Sequence, residues 1–426
     1  MSTDLIHSKH RSCRLCNSSR LRCIVPLHPI PIGEHYSEKP QKEGIRYPID
    51  LYHCMECSCV QTNDDIDPEY LWKDYTYYSS HTPRIVQHFL EFAELVIDDY
   101  GTLMPTYKVA SVLDIGSNDG SLLAAFKAKG FDVYGIDPAE AVASVAIEQD
   151  IPTVVALFDE ESVGKHFSGM SFNIITAFNV FAHSNNMTSM ARAVKSCLAD
   201  DGLFFFEVQY LGDISEKKIV GTVFHEHMIH YSLTSAKNFL SLHGLKIINY
   251  YRNNIQNGSI IFVVVHDDSK QAKTLDLNHK LLQLSEWEHD NGITNADWAH
   301  SFNDYINDTR RQALGYLNGK KVSAYGAARS GPTLAIQFGL DGSIDKIYDD
   351  HLSKSGKYSP FNNLKVLPTS NLEFETSPIC VILAYIHSRN IIGQHRDYVR
   401  SGGTFIILWP CFQLINSSNI RLFLGE

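Results

Sequence analysis

The chain has 426 residues, 44% hydrophobic and 20% charged, an ordinary globular composition whose length exceeds one core and predicts two or three domains. Lys and Arg total 37 against 48 Asp and Glu, and the formal net charge of -11 argues against broad binding to nucleic acid or to an anionic membrane surface. No segment reaches the ~18 apolar residues of a membrane span, and the first residues lack the apolar stretch of a secretory signal, so the expected location is cytoplasmic.

Residues 1–75 show little periodicity and are rich in Cys, Pro and His. Six of the nine cysteines fall before residue 60. In a reducing compartment, such clustering reads as metal ligation rather than disulfide pairing. "CRLC" supplies Cys13 and Cys16, and "CMEC" supplies Cys54 and Cys57. Two C-x2-C knuckles offer four thiolates to a tetrahedral zinc, with Cys23 and Cys59 as competing ligands. A closed site of four cysteines leaves no open position for chemistry. The zinc is therefore expected to stabilise a module too small to build a sufficient core of its own.

From about residue 80, short apolar strands alternate with helical patterns: "VASVLDIG", "FDVYGID", "FNIITAFNV" and "GLFFFEVQ". This rhythm predicts a parallel sheet with crossover helices. "VLDIGSNDGSLL" is a strand ending in Asp114, then a turn carrying Gly116, Asn118 and Gly120, then a helix. The next strand ends in "GIDP", which places Asp137, followed by Pro138, to hydrogen-bond ribose hydroxyls. The turn lacks a full G-x-G-x-x-G, and Asp114 would repel a pyrophosphate. An acid there suits a ligand with a positively charged amino acid end, as S-adenosylmethionine has. This favours a methyltransferase over a dinucleotide enzyme. A third strand runs into "AFNVFAHSNN" and leaves Asn179 and His183 at the carboxyl end of the sheet, where α/β folds place their sites. The alternative for His183 is a core or surface histidine.

"FHEHMIHYSL" then puts three histidines, a glutamate and a tyrosine into ten positions. It is not the zinc-protease helix, because the residue four after His225 is Ile229. His225 and His227 would share a face on extended chain, whereas His227, His230 and Tyr231 would share one on a helix. Since the cysteines already account for zinc, the cluster is read as an acid/base group rather than a metal site.

A polar helical stretch, "DDSKQAKTLDLNHKLLQLSEWEHD", is expected to link domains. From about residue 320 the βα rhythm returns in "KKVSAYGA", "IDKIYDD", "SPICVILAYI" and "GGTFIILWP". The turn "GAARSG" offers backbone N–H groups with Arg329 and Ser330 near a helix start, a place for a pyrophosphate; the alternative is an ordinary strand–helix turn. "DDHLSKSGKYSP" adds Lys354, Lys357 and Tyr358 as further substrate contacts, although loop lysines are more often solvated than bound.

The cysteine quartet, "LDIGSNDG", "GIDP", "NVFAH", "FHEH", "AYGAARSG" and "KSGKYSP" occur in this order over nearly the whole chain, which resembles the sugar C-methyltransferases of deoxysugar biosynthesis, of the tetronitrose-pathway type. The resemblance implies an α/β protein of three domains. These are a zinc-binding domain at 1–75, a Rossmann-like S-adenosylmethionine domain at 76–265, and a C-terminal α/β domain at 266–426 that contributes to sugar-nucleotide binding. Asp114, Gly116, Asn118, Gly120, Asp137, Pro138 and Asn179 are the expected cofactor contacts. The implied substrate is a nucleotide-diphosphate 4-keto-6-deoxy sugar, methylated on the carbon next to the ketone, C-3 in the tetronitrose pathway. A C–H beside a carbonyl is acidic enough for a histidine to remove when the enolate oxygen is stabilised.

On the family's Tyr-His-Glu-His cluster, His227 is the implied base, Glu226 orients or polarises, and His225 belongs to the same group. His183 matches another active-site histidine, and "DYTYYSS" implies that Tyr75 or Tyr77 reaches the sugar. Two departures stand out. The family's tyrosine is Phe224 here, leaving Tyr231, Tyr77 and His225 as candidates to replace its hydroxyl, and "QNGSIIF" lacks the arginine that usually follows Gly-Ser. The rival readings are an NAD-dependent sugar-nucleotide oxidoreductase or epimerase, and a zinc-containing protein that binds a partner without turnover.

Overall fold

The computed structural model describes residues 6–33, 35–40, 45–67, 70–71, 77–103, 109–274, 279–351, 353–373 and 376–426. Its central sheet contains β1 (Ser111–Ile115), β2 (Asp132–Asp137), β3 (Thr153–Val155), β4 (Phe172–Phe178), β5 (Leu198–Gln209), β6 (Leu245–Asn253) and β7 (Ser259–His266). The spatial order is β3-β2-β1-β4-β5-β7-β6. The first five run parallel, as the alternating rhythm predicts. β7 runs antiparallel to both β5 and β6. The reason is local: only residues 254–258 join β6 to β7, whereas a parallel crossover needs a dozen or more. Helices cover both faces, so Phe204 and Phe206 pack in one core and Leu203 and Phe205 in the other. Burial on both sides explains why the strand reads as one apolar run.

A second sheet lies toward the C-terminus. It contains β8 (Val322–Tyr325), β9 (Ile344–Tyr348), β10 (Val366–Leu367), β11 (Ile379–Ile382), β12 (Thr404–Ile407) and β13 (Gln413–Ile415), ordered β10-β9-β8-β11-β12-β13. Five strands are parallel and β13 is antiparallel. Both sheets are doubly wound. The central order reverses between β1 and β4 and the C-terminal order between β8 and β11, and such points open the crevices in which α/β proteins bind ligands.

The N-terminal region forms a small antiparallel sheet from Leu21–Val25, Leu51–Cys54 and Val60–Thr62. Its fourth strand, Ile229–His230, comes from the segment that follows "FHEH" and pairs with residues 60–61. The polar stretch expected to link domains is docked rather than free. Glu288, on helix His279–Asp290, is 0% exposed and accepts from Leu233 N at 2.6 Å, Thr234 N at 2.9 Å, Thr234 Oγ1 at 2.6 Å and Tyr210 Oη at 2.8 Å. It thereby satisfies orphan amides at the start of helix Leu233–Ser241. Among the described residues, no helix is long and apolar enough to cross a membrane.

Candidate active site

The sulfurs of Cys13, Cys16, Cys54 and Cys57 all lie within 4.8 Å of one another. The Cys13–Cys57 and Cys16–Cys54 separations are 3.4 and 3.6 Å. A tetrahedron with Zn–S bonds of ~2.3 Å requires S···S separations of about 3.8 Å, so the four thiols fit a closed zinc site. Of the competing cysteines, Cys23 is exposed, and Cys59 is buried with its sulfur 3.9 Å from Gln61 Oε1. Between the first two ligands, Arg14 runs inward, donating from Nε to Thr62 O at 3.1 Å and from Nη1 to Asn185 Oδ1 at 3.4 Å. It also pairs with Asp65.

A cleft of about 690 Å³ is lined by residues at the carboxyl ends of both large sheets. On the central side it takes in Gly116, Asn118, Asp137, Pro138 and Asn179. The Asp137 carboxylate accepts from Asn118 N at 2.9 Å and Ala139 N at 2.8 Å, which holds it at the end of β2. Burial pushes its pKa up, while the two backbone donors oppose that shift. Asn118 sits at φ 51, the left-handed conformation that asparagine tolerates. Its side chain accepts from Ser79 N at 2.9 Å and donates to Tyr77 O at 2.9 Å, clamping the 77–79 segment against the turn. These groups fit the ribose and amino acid ends of S-adenosylmethionine. Two expected contacts stand behind the cleft wall. Asp114 is buried inside β1, receives Thr176 Oγ1 at 2.6 Å, and is pushed up to about 7 by burial. Gly120 has φ +78, and a Cβ there would lie 2.8 Å from Ile151 and 3.0 Å from Ala146, so this glycine serves helix packing.

"FHEH" is neither strand nor helix. It is a turn closed by His227 N donating to Phe224 O at 3.0 Å. The turn sends Phe224 and His227 to the cleft, while His225 and Glu226 are buried. His227 Nδ1 lies 2.8 Å from Thr222 O. A carbonyl only accepts, so Nδ1 carries the proton and Nε2 keeps its lone pair. The Phe224 ring lies 4.0 Å from that of His227, and the His183 ring stacks on His227 at 5.2 Å and 17°. Burial, then the Arg329 charge, pushes His183 down to about 3. Burial also drives His227 well below the usual imidazole range, followed by the charges of His183 and His230. Both rings are therefore neutral near pH 7.

All three parts of the chain hold this turn. Thr62 N donates to Met228 O at 3.0 Å, Met228 N to Ala182 O at 3.2 Å, and Thr333 Oγ1 to Val223 O at 2.9 Å. His225 faces the N-terminal region, with Nε2 3.4 Å from Tyr47 O. Tyr231 is fully buried and donates to Phe181 O at 3.1 Å, so of the candidates to replace the family's hydroxyl only Tyr77 lines the cleft. Tyr75 lies outside the described residues.

The C-terminal side contributes Arg329 and Ser330. Lys354, Lys357 and Tyr358 are not among the lining residues. Lys354 Nζ donates to Ala327 O at 2.8 Å, Lys357 pairs with Glu38 at 3.5 Å, and Tyr358 bridges the backbone of Ser37. Lining residues for which no role was expected include Thr222, Gln209, Gln256, Tyr385 and His387. Gln256, at φ 50, carried a faint signal in "QNG", a turn-forming run between two apolar strands.

Three family models match the chain in succession: "Putative zinc binding domain" over residues 13–72, "Methyltransferase domain" over 80–250 and "C-methyltransferase C-terminal domain" over 254–410. The C-methyltransferase NovU of Streptomyces niveus is 26% identical over 418 residues, spanning 96% of this chain and 97% of NovU. Among solved structures, the magnesium protoporphyrin IX methyltransferase of Synechocystis PCC 6803 with bound SAH is 17% identical, covering 42% of this chain and 83% of its own, with a TM-score of 0.34. The CcbJ methyltransferase of Streptomyces caelestis is 12% identical, covering 46% and 95%, with a TM-score of 0.35.

Proposed function

From the premise that a zinc-binding, a methyltransferase and a C-methyltransferase C-terminal model match successive parts of this chain, we propose that it is a C-methyltransferase and that it methylates the carbon beside the ketone of a nucleotide-diphosphate 4-keto-6-deoxy sugar, C-3 of the ring, with S-adenosylmethionine as donor. One observation carries the reading: the switch-point crevices of two α/β sheets open on a single cleft, and a neutral imidazole lines it. One crevice suits the methyl donor and the other the sugar nucleotide. Carbon methylation needs a base, because a C–H proton must leave, and His227 is fixed in the tautomer that accepts one.

In this reading Asp137 and Asn118 hold the donor, and Asn179 flanks it at the end of β4. When bound, the donor supplies an electrophilic methyl group. His227 Nε2 takes the proton beside the ketone, and the charge that develops on the ketone oxygen must be met by a donor in the cleft. Tyr77, clamped through Asn118, reaches the sugar. Ser330 and the amides of residues 328–330 receive the pyrophosphate. The zinc module takes no chemical part and holds the turn in place.

The test uses the full-length zinc protein in D₂O with dTDP-linked and GDP-linked 4-keto-6-deoxy sugars. The wild type is expected to exchange the proton beside the ketone and to transfer methyl. His227→Asn keeps the bond to Thr222 but accepts no proton, and should lower both rates by roughly 10²–10⁴-fold. Near-normal methylation by that variant would move the base elsewhere. A wild type inert toward every such sugar would remove the substrate class.

A further inference from the structure

Enolate formation leaves a negative charge on the former ketone oxygen, and Phe224 brings no donor to meet it. Arg329 reaches from the C-terminal sheet toward this turn rather than away from it. Its Nε lies 3.6 Å from Glu226 Oε1, and its Cζ lies 5.9 Å from the centre of the Phe224 ring. That ring is 4.0 Å from His227. The Arg329 side chain lines the same cleft as His183 and His227, and its charge lowers the proton affinity of both. Its backbone is also fixed. A Cβ on Gly33 would lie 2.8 Å from Arg329 O, and Tyr36 Oη donates to Ala327 O at 2.7 Å.

We propose that Arg329 is a catalytic residue, whose guanidinium donates to the substrate's ketone oxygen and holds the enolate charge while Glu226 orients it. The inference rests on the function proposed above, and it leaves the pyrophosphate to Ser330 and the backbone of residues 328–330. The chemistry balances. The C–H bond breaks, its proton passes to His227 Nε2, its electron pair forms the C=C bond, and the carbonyl π pair moves onto oxygen. With the donor bound, the oxygen pair would re-form the carbonyl, the C=C pair would bond the methyl carbon, and the S–CH3 bond would break with its pair left on the sulfur of S-adenosylhomocysteine.

Arginine suits the task for a specific reason. It does not give up its proton, so the oxygen stays an enolate and the carbon keeps its nucleophilicity. Its fork can serve Glu226 and the oxygen together. In a partly dry cleft, such a preset charge needs little rearrangement as the reaction proceeds.

The test compares wild type, Arg329→Gln and Arg329→Lys as full-length zinc proteins, with dTDP-4-keto-6-deoxyglucose as probe. Proton exchange in D₂O and kcat should fall together in Arg329→Gln by roughly 10²–10³-fold, the loss seen when an oxyanion donor is removed. KM for the sugar nucleotide should change little. Arg329→Lys keeps charge without the fork and should fall in between; it decides the matter if the glutamine variant does not fold. A raised KM with unchanged kcat and exchange would overturn the proposal and return Arg329 to the phosphate. Histidine NMR titration of the ligand-free protein gives a readout without substrate. Losing the guanidinium should raise the pKa of His183, and an unmoved titration would take Arg329 out of the cluster. A wild type that neither exchanges nor methylates any dTDP-linked or GDP-linked 4-keto-6-deoxy sugar overturns the function proposed above, and this inference with it.

Discussion

Withdrawing zinc should silence proton abstraction before it disturbs the cofactor crevice. The chain of contacts is short. Cys54 ends the strand Leu51–Cys54, which pairs with residues 60–62, and these pair with Ile229 and His230 just past the base turn. Thr62 N adds a bond to Met228 O at 3.0 Å. Without metal, the four thiolates are no longer drawn together; the Leu21–Cys54 pairing and the bond from Met55 N to Arg20 O remain, but the edge on which strand 229–230 lies loosens. The ladder between 60–61 and 229–230 and the Thr62 bond amount to about three hydrogen bonds. At ~1 kcal/mol each they hold the turn by roughly 3 kcal/mol, on the order of 10²-fold in its ordered population. Arg14 carries the same disturbance to Asn185 on the cleft rim. Asn118 and Asp137 are held by the central sheet's turns and by the 77–79 segment, not by the strand at 60–62. Chelated protein, or Cys54→Ser, should therefore lose methyl transfer and proton exchange about 10²-fold while binding S-adenosylmethionine with little change by calorimetry. Metal content is measured on the same samples. Metal-free protein that methylates at the wild-type rate, or whose donor affinity disappears in step with the metal, would refute the coupling through strand 229–230.

Asp137→Ala should weaken S-adenosylmethionine binding by roughly 2–3 kcal/mol, the worth of hydrogen bonds to a charged group, and unchanged calorimetry would remove Asp137 from the site. Because burial holds His227 well below the usual 6.5, the free enzyme already carries the neutral base as pH falls through 6.5; kcat/KM should show no His227 decline there, and a limb at 6.5 would point to a solvent-exposed base. Glu288→Ala strands the amides of Leu233 and Thr234 and the Tyr210 hydroxyl, and should cost about 3 kcal/mol or more in urea unfolding at neutral pH; a loss below about 1 kcal/mol would mean that water replaces the carboxylate.

Much of this was legible in the sequence because short-range chemistry wrote it there. Two C-x2-C knuckles announce a four-thiolate site whatever lies between them. The turns after Asp114 and Tyr325 announce ligand crevices, because strand, glycine turn and helix are consecutive. The antiparallel β6–β7 pair was hidden, since β7 is as apolar as the parallel strands and the short 254–258 connection is what betrays it. Asp114 illustrates the opposite case. Its charge suggested a ligand contact, but whether an acid at a strand end faces the cleft or the sheet depends on one residue of register, and Thr176 on the neighbouring strand claims it. Likewise "FHEH" resists both periodic templates because it is a turn, and no period assigns faces to a turn. Its cleft-facing pair, Phe224 and His227, is set by the closing bond between the two.

What no local pattern could reveal is that His227, the proposed base, belongs to no single sheet. Thr222 fixes its tautomer, Thr62 and Thr333 hold the flanking backbone, and these residues lie far apart in sequence. Such an arrangement has a physical consequence. An imidazole kept neutral by burial is a weak base, so it can remove a carbon-bound proton only if the opposing oxygen is strongly stabilised at the same moment. Burying the base and supplying a fixed positive charge are then one requirement. Arg329, brought from the C-terminal sheet, meets it only when all three parts of the chain are assembled around the turn.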